Sequence, residues 1–299
     1  MTYEDLRKRI RGALRTDARK ARRLASVYAR RAAADGDPLR GAEARLLRAE
    51  VDFAQGRLRA ALQGCRAARS AFASRRASRQ VLATDVSAVQ ICALLGLHEE
   101  VRRRSRSLRR TRLGPLEAAY VESAIASAFE GLGDDRAAEE SWRRALAALR
   151  GRRRPPQVGV QRATARQNLA VRLARRGAVS AALRELDRAL AFFDDNGLHA
   201  TAEEVRYNRG WARGLAGDLA RAVEDLRAAR EAFVRRGNRR WAALARLDEA
   251  ELLLRLGDAR RAGRAARAAA AGFRRCDLPL EVARAQLVAA RAELAAGRR

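Results

Sequence analysis

The chain is 299 residues long, with 64 lysines and arginines against 35 acids, a net charge of +29, 48% apolar residues and 5% aromatics. That apolar share with no long polar tract excludes a disordered chain, and the length is ample for a large core or a run of small units. No stretch of 18 apolar residues escapes arginine, which excludes a membrane span, and the first fourteen residues carry charge throughout, unlike a secretory signal.

In chain order, residues 6–14 and 17–34 read as a helix pair, so that 1–36 forms an N-terminal cap before Pro38. Beyond it, over 37–299, glycines fall at 56, 96, 133, 177, 217, 257 and 297, at spacings of 40, 37, 44, 40, 40 and 40. The units they define are about 37–76, 77–114, 115–154, 157–197, 198–237 and 238–277, with a last helix at 279–296. Other registers repeat with the glycines. Five residues after the glycine stand Ala61, Ala138, Ala182, Ala222 and Ala262; twelve after stand Ala68, Ala145, Ala189, Ala229 and Ala269. Sixteen after come Phe72, Leu149, Phe193, Phe233 and Phe273, and seven before come Ala49, Ala126, Ala170, Gly210, Ala250 and Ala290. The second unit departs, with Val101, Ser105 and Leu108 in place of the small residues, and the basic run 150–156 lengthens one junction into a solvated loop.

Each unit reads as two helices joined by a tight turn. Within 200–217 the apolar residues recur at helical spacing and end on a glycine free to take a positive φ. Asp134, Asp218 and Asp258 then stand where a side chain caps the next helix. Alanines on both helices let the axes approach, and the later phenylalanine fills the gap toward the next unit. Pro38, Pro115, Pro155, Pro156 and Pro279 all fall between units, where a helix start tolerates them. No segment reads as a strand, so the expected class is an all-α solenoid.

Catalytic chemistry finds little material. Cys65, Cys92 and Cys276 are scattered and odd in number, and His98 and His199 stand alone. Neither a disulfide framework nor a zinc site follows from such spacing. The chain has no GxxxxGK[ST], GxSxG or HExxH, and Gly131 and Gly133 have no strand before them. The expectation is a cytoplasmic protein that is not an enzyme and holds no metal or cofactor.

The registers resemble the tetratricopeptide repeat. Its small residue, turn glycine and two later alanines correspond to Gly210, Gly217, Ala222 and Ala229, and again to Ala250, Gly257, Ala262 and Ala269 and to Ala170, Gly177, Ala182 and Ala189. The period of 40 exceeds the usual 34 of that family. This long period and the run 246–254 are also similar to bacterial arrays that precede caspase-like CHAT protease domains, and to those of large bacterial transcriptional regulators. The resemblance implies a right-handed α-α superhelix of about seven helix-turn-helix units, with the first helix of each unit lining a concave groove.

By that register the groove positions lie 13, 10, 6, 3 and 2 residues before each turn glycine. They hold the acids Glu43, Glu50, Glu130, Glu204 and Glu251 and the bases Arg175, Arg255, Arg284 and Arg291, so the groove carries no positive excess. The excess sits instead on second helices and turns, as in 101–112, and divides evenly between the two halves of the chain. Gln90, Tyr120, Gln167, Tyr207 and Trp211 are groove positions as well, and Asn168 and Asn208 adjoin them 40 residues apart. Amides both donate to and accept from an extended backbone, and aromatic rings supply contact area at low entropic cost. Trp142 and Trp241 fall off the register and read as packing residues.

The expected function is a protein-interaction scaffold that binds a peptide or an adjacent domain, such as a C-terminal one of the same protein. Its groove comprises Glu50, Gln90, Tyr120, Gln167, Asn168, Glu204, Tyr207, Asn208, Trp211 and Glu251. Two alternatives stand beside it: the regulatory region of a CHAT-type protease or transcriptional regulator, and weak, non-specific nucleic-acid binding through a basic convex face.

Overall fold

The computed structural model describes residues 2–14, 17–151 and 156–297. Fifteen α-helices and no strand occur among them. They are α1 (Tyr3–Leu14), α2 (Ala18–Ala34), α3 (Pro38–Ala54), α4 (Leu58–Ala73), α5 (Ser78–Leu94), α6 (His98–Arg109), α7 (Pro115–Gly131), α8 (Asp135–Ala148), α9 (Pro156–Arg175), α10 (Val179–Asp195), α11 (His199–Ala216), α12 (Leu219–Arg235), α13 (Arg239–Arg255), α14 (Ala259–Arg274) and α15 (Pro279–Ala295). None is long and apolar enough to cross a membrane. The chain divides into two compact units, Met1–Ala148 and Leu149–Arg299, a division that falls inside the run expected as one solenoid.

The glycines at 56, 96, 133, 177, 217 and 257 all have φ between 70° and 86°, which lets each first helix stop in a left-handed residue and reverse into the second. Pro38, Pro115, Pro156 and Pro279 each open a first helix, where the missing N–H costs nothing. Arg152, Arg153, Arg154 and Pro155 of the expected basic loop lie outside the described residues. Asp134 and Asp258 accept from the backbone N–H groups of Ala137 (3.1 Å) and Arg261 (3.0 Å). Asp218 corrects the expectation: its side chain caps no backbone N–H and instead lies 3.5 Å from Arg221.

Within each unit every helix packs on its sequence neighbour, and some first helices also touch, as α1 with α3 and α5 with α7 in the first and α9 with α11, α11 with α13 and α13 with α15 in the second. The alanines five and twelve residues after the turn are fully buried, and so are the four phenylalanines and Leu149. These small residues set the helix spacing. A Cβ placed on Gly210 of α11 would lie 3.0 Å from Leu226 Cγ and 3.1 Å from the Ala222 carbonyl on α12. The second repeat closes differently. Val101, Ser105 and Leu108 are buried on a helix of only 12 residues, and α5 packs directly against α7. Trp142 is buried and donates to Glu130 (2.8 Å), as expected of a packing residue. At the end of the second unit α15 has no second helix after it among the described residues. Ala290, at the register of the fully buried Ala250, is consequently exposed.

Candidate functional site

In the first unit a concavity of about 470 Å³ opens between α1, α3, α4 and α5. Its apolar lining includes Leu46, Ala49 and Cys65, with Ile91 on α5. Two of the sequence-derived groove residues, Glu50 on α3 and Gln90 on α5, line it together. Arg11 of α1 fixes Glu50 by a two-pronged bond, from Nε at 3.3 Å and Nη2 at 2.9 Å. Gln90 is exposed and its amide bonds to nothing among the described residues. Phe53, 40% exposed, adds an aromatic edge. Tyr120 on α7 is 53% exposed. Arg11 escaped the sequence reading because the cap pair lies outside the repeat register. Phe53 was legible: it stands three residues before Gly56, itself a groove position.

In the second unit the groove register separates into two kinds of position. Ten residues before the turn, Gln167 and Tyr207 are each only 9% exposed, and Leu247 is fully buried. Those side chains turn into the packed interior. Tyr207 departs from its expected place in the open groove. Its ring meets Trp241 edge-on at 5.3 Å and lies 6.5 Å from Phe233, and its hydroxyl donates to Asp248 at 2.5 Å. Burial and the Asp248 charge push the Tyr207 hydroxyl well above its ordinary pKa, so it stays a donor. Trp241, expected to pack, does so. Six residues before the turn the positions stay open instead. Trp211 and Glu251 are half-buried there, as Glu50 is in the first unit. Trp211 makes no hydrogen bond and no ring contact among the described residues, and the amides of Asn168 and Asn208 likewise bond to nothing. Burial and the neighbouring Glu203 raise the Glu204 carboxyl, against the pull of Arg236.

The remaining chemistry is structural. No group of three or more His, Cys, Asp or Glu residues with metal-holding geometry occurs among the described residues. Cys65 and Cys92 are buried free thiols, and burial pushes Cys65 up to about 11, far from a reactive thiolate.

No protein-family model matches the sequence, and neither does any curated protein. The fold does match solved structures. One is a signal transduction ATPase with numerous domains that carries a tetratricopeptide repeat sensor, from Pyrococcus horikoshii (TM-score 0.72, 14% identity). All of the present chain aligns with it and spans 45% of its length. The apo form of RapI matches over 99% of this chain and 86% of its own (TM-score 0.66, 10% identity). A Rap protein complexed with Competence and Sporulation Factor matches over 88% and 76% (TM-score 0.54, 13% identity). The fold is therefore that of the tetratricopeptide-repeat solenoid.

Proposed function

We propose that the chain is a protein-interaction module that holds an extended segment of a protein partner against its first helices. The carrying observation is the concavity of the first unit, where an apolar floor of Leu46, Ala49 and Ile91 meets the unbonded Gln90 amide and the Arg11–Glu50 pair. An amide facing a backbone supplies register-independent affinity, and the exposed Phe53 ring supplies an anchor. Separately, the open positions Trp211 and Glu251, with Asn168 and Asn208, offer the same chemistry on the second unit. The Rap complex with Competence and Sporulation Factor supports a partner-holding role for this fold. Two buried free thiols suit a reducing cytoplasm.

A peptide library selected on the protein tests this reading. Selected peptides should lose about tenfold or more in affinity for Phe53→Ala and Gln90→Ala, with unchanged melting temperature. Peptides that bind both variants as well as the parent would remove the site. A second reading is favoured by the Pyrococcus horikoshii protein, in which a sensor of this repeat type belongs to a longer chain. On that reading the groove serves a covalently linked domain, and a CHAT-type protease or a transcriptional regulator are the forms the repeat period suggests.

A further inference from the structure

Along the second unit an arginine recurs eleven residues before each turn glycine: Arg166 on α9, Arg206 on α11 and Arg246 on α13. Acids of α10 meet the first two, Glu185 at 3.3 Å from Arg166 and Asp194 at 3.2 Å from Arg206. At the registers of Glu185 and Asp194 the next repeat has Ala265 on α14 and Val234 on α12, and Arg246 makes no ion pair among the described residues. Glu249, whose charge reaches Arg246, is held by Arg227 at 2.6 Å and Arg230 at 3.3 Å. Burial together with Arg230 and Arg275 pushes the Arg246 guanidinium below its ordinary value.

Beside Arg246, at the Val234 end, lies a pocket of about 350 Å³ lined by Arg239, Arg246 and Arg275, with Val234, Ala243 and Gly272 among its apolar walls and no acid among its lining residues. Arg239 and Arg275 make no ion pair among the described residues either. Gly272 keeps the pocket clear. Phe192 holds its register two repeats earlier, and even a Cβ at 272 would stand 2.9 Å from Ala243. Guanidinium forks match the oxygens of a phosphate, and a dianion compensates clustered positive charge better than a single carboxylate does.

We propose that this pocket binds a phosphorylated side chain of a protein partner, the phosphoryl group taken by Arg246 with Arg239 and Arg275 and the carbon stem laid against Val234 and the alanines. Its confinement to a single cavity of about 350 Å³ favours one phosphate monoester over a polynucleotide backbone. The site is separate from the concavity of the first unit and stands without it.

Calorimetric titration of the full chain with O-phosphotyrosine, O-phosphoserine and inorganic phosphate tests the assignment, with a dT20 oligonucleotide as rival. The amino-acid monoesters should bind more tightly than inorganic phosphate. Arg246→Gln and Arg275→Gln should each weaken them about tenfold or more, while Arg166→Gln at the paired register should not. Val234→Asp, on a side chain 56% exposed, restores the acid of the earlier repeat. It should abolish binding while the melting temperature holds or rises, which separates loss of the site from loss of the fold. Absence of monoester binding, or equal weakening by Arg166→Gln, would overturn the proposal. Tight dT20 binding that depends on Arg246 would overturn it in favour of nucleic acid.

Discussion

Arg76 and Asp277 carry left-handed backbone, at φ 54° and 56°, at junctions where Gly36, Gly197 and Gly237 stand elsewhere in the chain. An L side chain there crowds its own carbonyl, at about 1–2 kcal/mol for most residues and less for Asp. Arg76→Gly should therefore stabilise the protein by about 0.5–1 kcal/mol after the added freedom of the unfolded glycine is counted, and Asp277→Gly by less. Urea denaturation reads both. Asp248 makes a different demand, since burial raises its carboxyl to about 6 despite the Tyr207 hydroxyl that favours its charge. Its folded value lies above the unfolded value, so its contribution is fully present below about pH 4 and is lost as pH rises through about 6. Asp248→Asn still accepts from Tyr207. It should remove that decline and raise stability at pH 7 by about 1–2 kcal/mol, given that the residue keeps some solvent contact. A series of melts from acid to neutral pH checks the sign.

Between elements, the distance of α11 from α12 is set by Gly210 facing Ala222. Ala222→Leu should cost about 1–3 kcal/mol, because the helices cannot part without disturbing Leu226 and Phe233 beside it. An unchanged melting curve would place Ala222 away from the crossing. This part of the fold was legible in the sequence because close helix approach demands small residues at fixed registers, and Ala182, Ala222 and Ala262 recur 40 residues apart. The groove was less legible. A periodic pattern tells which residues share a helix face, yet Tyr207 and Trp211 share one and part company in the fold. The position ten before the turn is packed inside, and the position six before it is left open. The role of Asp218 was misread because an acid after a turn glycine has two uses, capping a backbone N–H or pairing with an arginine one turn on. Asp258 does both with Arg261, whereas Asp218 only pairs, and the register alone does not tell the two apart.

At the scale of the molecule the net charge of +29 is spread along the chain, and many arginines already hold acids, as in the Arg209–Asp225–Arg213 cluster. Any binding of nucleic acid should accordingly lack sequence preference, with affinity falling by about a hundredfold or more between about 50 and 200 mM salt. Filter binding across salt on unrelated duplexes measures both. Affinity for one sequence that survives the higher salt would replace this picture with a specific reader.

The packing rule has a mechanical corollary. Within each unit every helix is gripped chiefly by helices one or two places away along the chain, and among the described residues no distant segment returns to lock it. Loss of order therefore travels as a front rather than as an all-or-none collapse, since stability is shared only between adjoining repeats. In the second unit the exposed Leu280, Leu287 and Leu294 of α15 add nothing to that sharing, while Ala285, Val288 and Ala289 on its other face are buried. Force applied to that end meets one helix at a time, each yielding about 1.5 Å per residue while coiled and more than twice that once drawn out. Such a body is a compliant spring, able to lengthen in steps under load and to rewind from whichever repeats remain.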